Sequence, residues 1–420
     1  MQAYFKYTAF TGIILILAGL LFSPALQSIG CALVILHPFL TGNATKILPA
    51  FRNNKLLWLL PVYYLITFIS ILYTDDYKAF WNQNALLKLP FVLLPIGLAN
   101  GGGLSKKQLN IIMYFFIGII WLVALATFFN YLAHFKEINE QIKHSKPIPI
   151  FTATKKELSH IYFGIMLAFA TCASFYFAWI NKPASKVRKW LIRSIFFTFL
   201  ICIHSIIART GLLAIYASAF IVLSWFIIKE KKLLLGSGIL AAFIVLLTVS
   251  VLFVPSLRNR LANTQKDISQ YQEGKELNHY SISMRMESLK TAWKVYKNSP
   301  IIGVGAADII AEMHKQYEAD NSPLTEENRK LPHNQFLQTL TMLGIAGLAS
   351  LLAIFLYPVY KRNYLLTYNN MQLLFLLFIV ICFFSFQVES VLERQVGVTF
   401  FSLFYILLGH VIPQKANSIS

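Results

Sequence analysis

Two arginines and one histidine have the side chains and the sequence positions expected of a site that handles a charged substrate. Arg209 alone separates two largely apolar blocks, 190–208 and 210–228; Arg285 lies in a polar stretch, and His333 directly precedes another apolar segment. Guanidinium groups bind the oxygens of a diphosphate through paired hydrogen bonds. A histidine beside them can take a proton from a hydroxyl group near neutral pH.

Each of these residues also has an interpretation without chemistry. An arginine at a membrane surface can serve as an anchor, a loop arginine can simply be solvated, and a histidine can begin a helix. The segment Gly303-Val304-Gly305 can bind an anion through its backbone amides or form an ordinary turn. Taken together, the two arginines and the histidine favour a diphosphate site with a group that deprotonates an attacking hydroxyl.

Two pairs of acidic residues are candidates for metal ligands or ion pairs. Asp75 and Asp76 lie in a short polar segment, and carboxylates of this kind hold divalent cations. A short polar turn is the simpler interpretation, so we predict no metal site. Glu389 and Glu393 stand beside Arg394, and the simplest interpretation is that these three residues pair with one another.

The composition decides which elements must position these side chains. Of 420 residues, 57% are hydrophobic and 13% are charged, against roughly 45–50% and about 25% in ordinary globular proteins. These values exclude a disordered chain and argue against a soluble enzyme. They predict an all-α, polytopic membrane protein, because each membrane-spanning helix needs about 20 apolar residues.

The net charge of +19 would suggest nucleic acid as the partner of a soluble protein. In a membrane protein it reflects the lysines and arginines that collect in cytoplasmic segments, so we predict membrane lipid and no nucleic acid as a partner. The four cysteines all fall within apolar segments and form no CxxC pair. They are expected to be buried core residues and not disulfides or metal ligands.

The hydropathy pattern predicts about twelve transmembrane helices. Residues 1–254 carry the first nine, 255–332 form one large polar loop, 333–412 carry the last three, and 413–420 form a tail. Lysine and arginine are concentrated in alternate short segments, which predicts that both termini are cytoplasmic and that the loop is on the outer face. The apolar segments are 7–22, 25–40, 56–73, 85–99, 109–133, 159–180, 190–208, 210–228, 233–254, 335–359, 371–387 and 395–412.

The large loop is predicted to be partly helical. An apolar stripe repeats at alternating steps of four and three residues, the spacing of one helix face. We expect this stripe to pack down on the membrane domain and to hold Arg285 near it. A second helix is predicted over 307–319. The stripe consists of Ile282, Met286, Leu289, Trp293 and Tyr296.

His333 and Asn334 begin the pattern H-[NSQ]-x9-G-x-x-G, which Gly344 and Gly347 complete. The pattern resembles the O-antigen ligase and polymerase family of bacterial envelope glycosyltransferases. The two glycines also have a physical reading, since small residues let helix backbones approach closely in a membrane. Weaker matches to the family are Arg209-Thr210-Gly211, Arg285 followed by Trp293, the segment Pro300–Gly305 with Gly303 and Gly305, and His160-Ile161-Tyr162.

The resemblance implies a GT-C-like fold in the bacterial inner membrane, with an active site facing the periplasm and the large loop between helices 9 and 10. It implies an inverting transfer of a glycan from undecaprenyl diphosphate to a sugar hydroxyl of the lipid A core, without a metal or other cofactor. In this reading Arg209 and Arg285 bind the diphosphate, and His333 activates or orients the acceptor hydroxyl. Asn334, Gly303, Gly305, His160 and Tyr162 are secondary candidates.

Three alternatives remain open at this point. An O-antigen polymerase would share the donor and extend a lipid-linked glycan, and a protein O-oligosaccharyltransferase would use a protein acceptor. The single large late loop favours the ligase branch. A transporter of lipid-linked glycans would explain twelve spans, but it predicts internal repeats and ionisable groups at mid-membrane. The sequence has no evident repeat, and His204 is the nearest candidate for such a group.

Overall fold

A computed structural model describes most of the chain, and every regular element in the described part is helical. Residues 233–254, the ninth apolar segment, lie largely outside the described part. The described residues are 5–143, 148–151, 159–181, 183–206, 209–230, 255–272, 278, 281–361 and 370–413, with scattered positions between 234 and 253.

The helices follow the predicted apolar segments closely. Apart from 233–254, each of these segments coincides with a helix in the structure. Among the described residues, four helices are long and apolar enough to cross a membrane, and a bent pair, Pro24–Leu40 with Ala44–Asn53, would make a fifth. These apolar helices are those of a multi-pass membrane protein. The described α-helices are α1 (Thr8–Phe22), α2 (Pro24–Leu40), α3 (Ile47–Asn53), α4 (Leu56–Ile69), α5 (Tyr77–Ala79), α6 (Pro90–Leu98), α7 (Lys106–Ala133), α8 (Phe135–Lys143), α9 (His160–Phe175), α10 (Lys186–Ile206), α11 (Arg209–Glu230), α12 (Pro255–Gln272), α13 (Ser281–Asn298), α14 (Ile309–Ala319), α15 (Gln335–Lys361), α16 (Asn370–Val388) and α17 (Gln395–Ile406).

The chain forms two compact units. The first unit consists of Met1–Leu109, Lys266–Arg362 and Phe386–Ser420, and the second consists of Asn110–Gln265 and Asn363–Ser385. In the first unit, α1 and α2 lie so close that a Cβ on Gly12 would be 2.8 Å from the carbonyl oxygen of Gly30. Such close backbone approach is typical of small residues between membrane helices.

The second unit contains α8 to α11 with most of α7, α12 and α16. Its core is apolar and aromatic, and its cysteines Cys172, Cys202 and Cys382 are buried and unpaired, as is Cys31 of the first unit. His204 is hydrogen-bonded through Nε2 to the Tyr216 hydroxyl at 2.8 Å. This bond satisfies the histidine within the protein, in line with a packing role for it.

The two loop helices form at the predicted places, but the first of them buries a different face. Helix α14 begins at Ile309, close to the predicted start. In α13, Met286 and Trp293 are exposed, whereas Ser288, Thr291 and Ala292 have no exposed surface. The expectation that the apolar stripe packs on the membrane domain is therefore wrong. Small side chains occupy the packed face because α13 lies tightly against α15, where the Thr341 hydroxyl donates to the Ala292 carbonyl at 3.3 Å.

Helix α15 is broken at Gly344, which has a φ of +63°. The segment that follows α13 lies in this break: the Ile345 N–H donates to Pro300 O, and the Val304 N–H donates to Thr341 O, both at 3.0 Å. A Cβ on Gly344 would collide with the carbonyl of Ile301. The break thus fastens the end of α13 to the helix that follows His333.

The two glycines of the H-[NSQ]-x9-G-x-x-G pattern, Gly344 and Gly347, are closely surrounded because the helix is broken here. The neighbour of Gly344 is the Ile301 backbone, and a Cβ on Gly347 would meet the side chain of Leu343 in its own helix. The sequence led us to expect a neighbouring helix instead. The difference arises because a left-handed residue inside a helix opens room for a loop, which the periodicity of the sequence does not reveal.

Replacing Gly344 by alanine should destabilise the folded protein by about 1–3 kcal/mol or more, since the backbone is left-handed there and the new Cβ meets the Ile301 carbonyl. Thermal unfolding in detergent measures the change. Gly118→Ala is the matched control, because nothing lies within 4 Å of a Cβ at that position in α7. A Gly344→Ala protein as stable as the Gly118→Ala protein would contradict the prediction.

Candidate active site

His333 lies just before the start of α15, and Asn334 stabilises that helix start. Asn334 is the residue before the helix; its side-chain oxygen accepts the N–H of Leu337 at 2.9 Å. This is the side-chain cap that favours a helix start. The Asn334 amide also donates to Gln387 O at 3.0 Å. Asn334 therefore ties the helix that follows His333 to the end of α16.

The His333 ring faces the carboxylate of Glu389, for which the sequence predicts pairing with Arg394 instead. Its Nδ1 lies 3.2 Å from both carboxylate oxygens of Glu389. The Ser390 hydroxyl, next along the chain, donates to Pro332 O at 2.7 Å and so holds the two segments together. With Nδ1 donating to a carboxylate, the neutral ring presents Nε2 as a proton acceptor.

Arg285 reaches the same carboxylate from α13. Its Nη2 lies 3.9 Å from Glu389 Oε2, and its Nη1 donates to Val388 O at 3.2 Å. About a third of the Arg285 side chain is exposed, as is about a third of that of His333, whereas Glu389 is largely buried. The structure thus brings together two of the predicted site residues, Arg285 and His333, around Glu389.

The neighbours of Glu389 favour the ionised form of its carboxyl group. Burial by itself would raise the pKa of this carboxyl, but the hydrogen bond and charge of His333, the charge of Arg285 and the Ser390 N–H together outweigh it and lower the pKa below its usual value. Glu389 is therefore ionised at neutral pH. An ionised carboxylate stabilises the imidazolium that forms when His333 accepts a proton.

Both predicted residues keep atoms available for a ligand. Within the described part of the chain, neither Nε2 of His333 nor Nε of Arg285 has a hydrogen-bond partner. A proton acceptor and a guanidinium edge therefore meet at one partly exposed place. This arrangement can take a proton from a hydroxyl group beside a bound anion.

A buried polar network supports the segments that carry His333 and Glu389. Gln335 accepts the N–H of Leu392 at 2.7 Å and donates to Glu393 Oε1 at 3.0 Å. Glu393 pairs with Lys88, whose side chain has no exposed surface, at 3.0 Å. Lys88 also donates to Asn84, which in turn donates to the carbonyl of Ala306.

The structure corrects the assignment of the acidic residues near the end of the chain. Glu389 pairs with His333 and Arg285, and Glu393 pairs with Lys88. They do not form the local cluster with Arg394 that the sequence suggested. Lys88 was missed altogether; the only signal was a lysine inside the apolar segment 85–99. Pairings between residues so far apart in the chain have no local sequence signature.

The backbone amides of the Gly303–Gly305 segment are used inside the protein. Gly303 donates to Ser299 O, Val304 to Thr341 O and Gly305 to Met342 O, each at 3.0 Å. These contacts favour the turn over the anion site. Both Gly303 and Gly305 have positive φ, which explains the residue type without a ligand.

The acidic pair Asp75-Asp76 is organised by a third carboxylate. Asp308 accepts the Thr74 hydroxyl at 2.7 Å and the backbone N–H groups of Asp75 and Asp76 at 3.2 Å. Asp76 in turn caps the short helix α5 by accepting the Ala79 N–H. Among the residues that the structure describes, no group of three or more His, Cys, Asp or Glu side chains is arranged to hold a metal ion.

The remaining predicted site residues belong to the second unit. Arg209 is the first residue of α11, and its side chain lies outside the described part of the structure. His160 and Tyr162 are in the first turn of α9, which Ser159 caps by accepting the Ile161 N–H. Their part in a site with His333 stays a prediction.

We expect Lys88→Met to destabilise the protein by about 3–5 kcal/mol, because it leaves the largely buried Glu393 without its partner. The double variant Lys88→Met, Glu393→Gln should recover much of that loss. Thermal unfolding of purified protein measures both. Lys315→Met is the control, since Lys315 pairs with Glu312 on the surface, and it should leave stability unchanged. If the Lys88→Met protein unfolds at the same temperature as the wild type, the network does not stabilise the folded protein.

Glu389 should make the folded protein less stable at acidic pH. Its pKa in the folded protein is below the usual 4.5, so folding favours the ionised form. This contribution is complete above pH 4.5 and is lost as the pH falls through the lowered pKa. The difference in thermal midpoint between wild type and Glu389→Gln should thus narrow as the pH falls below 4.5. Glu327→Gln, at an exposed carboxylate of the loop, is the control for the substitution itself. A gap for Glu389→Gln that stays the same below pH 4.5 would refute the assignment.

A comparison with known protein families gives a match over the middle of the chain. Residues 194–352 match the family described as O-Antigen ligase, a range that contains Arg209, Arg285 and His333. A comparison with curated proteins found no match. The family match does not separate ligases from polymerases. The match covers less than half of the chain; together with the apolar helices of a multi-pass membrane protein, it supports the O-antigen ligase and polymerase family.

Proposed function

We propose that the protein is an O-antigen ligase-type glycosyltransferase that moves a glycan from undecaprenyl diphosphate to a hydroxyl of a lipid A–core sugar. The observation that carries the proposal is the meeting of Arg285, His333 and Glu389, with 3.2 Å from His333 Nδ1 to the carboxylate and 3.9 Å from Arg285 Nη2 to it. A proton acceptor beside a guanidinium edge suits attack by a hydroxyl on a sugar whose leaving group is a diphosphate.

His333 begins the reaction by accepting a proton. The acceptor hydroxyl approaches Nε2, the ring nitrogen opposite the Glu389 contact, and transfers its proton there as its oxygen attacks the anomeric carbon. The ionised Glu389 fixes the ring orientation and stabilises the imidazolium. General-base assistance of this kind contributes typically 10²–10⁴-fold to a rate.

The leaving group departs from the opposite face of the sugar. A glycosidic bond to the acceptor oxygen forms as the bond from the anomeric carbon to the diphosphate oxygen breaks, so the configuration inverts. The diphosphate keeps the electron pair of the broken bond and stays attached to its lipid. Arg285, and Arg209 by the family pattern, bind its oxygens and stabilise the charge. In this mechanism arginine side chains take the place of a metal ion.

Contacts around the site hold His333 and Arg285 in position. Asn334 caps the helix behind His333 and bonds to the end of α16, and the Gly344 break holds the end of α13 against α15. These contacts keep the histidine and the arginine at a fixed separation. Such positioning of reacting groups accounts for much of the rate enhancement of enzymes that act on two bound substrates.

The acceptor distinguishes the members of this family. The single large loop before α15 supports the ligase branch, in which the acceptor is lipid A core, with the site facing the periplasm and both termini in the cytoplasm. A polymerase would extend a lipid-linked glycan, and a protein O-oligosaccharyltransferase would modify serine or threonine.

Deleting the gene and analysing the envelope glycans tests the acceptor. A ligase is indicated if polymer disappears from lipid A and accumulates on the lipid carrier. Caps of a single repeat unit would indicate a polymerase, and glycan lost from proteins would indicate an oligosaccharyltransferase. Unchanged glycans on all three acceptors would overturn the proposed reaction.

Substitutions at the two site residues test the mechanism with purified protein and a lipid-diphosphate-linked donor. His333→Ala should lower turnover about 10²–10⁴-fold. Arg285→Lys should also lose most activity, because lysine keeps the charge but not the paired hydrogen bonds. His314→Ala on α14 and Arg329→Lys in the same loop are the matched controls and should turn over normally. Normal turnover of His333→Ala at wild-type abundance would exclude His333 as the base.

A further inference from the structure

Helix α13 leaves large apolar side chains on its open face. Its packed face carries small and polar side chains, with Ser283, Ser288, Thr291 and Ala292 fully buried. Its open face carries Met286 and Trp293, which are 45% and 47% exposed. Helices in aqueous domains bury the apolar side, whereas membrane helices often pack through small residues and turn large apolar ones to lipid.

The open face of α13 continues into the segment that follows it. Ile301 is 72% exposed and Ile302 is 51% exposed. We call the set Met286, Trp293, Ile301 and Ile302 the loop apolar face. Four large apolar side chains left open in an ordered segment mark a surface that some partner covers.

The neighbouring transmembrane helix, α4, indicates that this partner is lipid. Exposed side chains on α4 and the turn after it recur at steps of four and three residues, so one stripe of that span faces outward. Tyr73, beside the last of them, donates its hydroxyl to the Ile302 carbonyl at 2.8 Å. The stripe on a membrane span faces lipid, and the loop apolar face begins where that stripe ends. The stripe is Trp58, Val62, Leu65, Ile69 and Leu72.

A second membrane helix, α15, also borders the loop apolar face. Ile345, in α15, is exposed, and its N–H donates to Pro300 O at 3.0 Å. Pro300 directly precedes Ile301 of the loop apolar face. Lipid-facing positions on two apolar helices thus border the exposed isoleucines of the loop.

The charges beside the loop apolar face fit lipid headgroups. Lys290 and Lys297 are exposed on the same helix, and the Lys297 ammonium lies 6.0 Å from the centre of the Trp293 ring. Tryptophan is enriched at membrane surfaces, where an apolar ring meets a polar layer. Lysines flanking an apolar face are typical of helices that lie in the interface and contact lipid phosphates.

We infer that the loop apolar face is inserted in the bilayer interface and that its occupant is membrane lipid, so that α13 is a membrane-bound helix of the loop. Arg285, which precedes Met286, then lies at the depth of the lipid phosphates with a third of its side chain open. The membrane contact holds whether or not the chain transfers a glycan. For a donor carried on a lipid, it brings the arginine to the diphosphate without lifting the lipid from the bilayer.

Site-directed spin labelling in lipid nanodiscs tests the contact. The native cysteines are all buried, so a nitroxide can be placed at Met286→Cys, with Lys315→Cys on the exposed face of α14 as the matched control. The measurement compares collisions of the nitroxide with oxygen, which concentrates in lipid, and with a water-soluble nickel chelate. We expect the oxygen-to-nickel ratio to be higher at 286 than at 315 and to place 286 just below the phosphates.

Two results would overturn the inference. A low oxygen-to-nickel ratio at 286, equal to that at 315, would put the face in water. Low collision rates with both reagents would mean that protein covers it, such as a second copy of the chain. Ile301→Cys, in the turn after α13, gives the same readout if Met286→Cys folds poorly. Because no substrate is needed, failure here is distinct from failure of the proposed glycan transfer.

Discussion

The carboxylate of Glu389 joins a histidine and an arginine that come from different helices. It accepts from His333 Nδ1 and lies beside the Arg285 guanidinium while remaining largely buried. A buried carboxylate without partners would be costly, so the three segments that meet here must keep their relative positions. The helix cap at Asn334, the Ser390–Pro332 hydrogen bond and the Gly344 break all serve that requirement.

A second charged group, the pair Lys88–Glu393, supports the same segments. Lys88 is fully buried and pairs with Glu393, and Gln335 links that pair to the start of α15. Buried ion pairs contribute little net stability, because removing two charges from water costs about as much as their attraction returns. Their effect here is on geometry. Each partner leaves the other unsatisfied if it moves, and so the network restricts where the segments of His333 and Glu389 can lie.

The membrane changes how an amphipathic helix is to be interpreted. The stripe on α13 was detected correctly as one helix face, but its direction was inferred from the rule for aqueous domains. In a protein whose other helices turn large apolar side chains outward, small residues such as Ser288 and Ala292 provide the packed face. That helix carries Arg285, so its orientation also decides where the guanidinium is presented.

The sequence by itself determined the helical class, the positions of the apolar helices and the two loop helices, and it singled out His333 and Arg285 as candidate site residues. These follow from hydropathy, from helical periodicity and from a spaced pattern, all of which are local in the chain. Only the tertiary structure decided that Glu389 is the partner of both, that Lys88 supports them, and that Gly344 accommodates a loop and not a helix. Such pairings join segments far apart in the chain, and hydrogen bonds between them have no period or spacing that a single sequence can display.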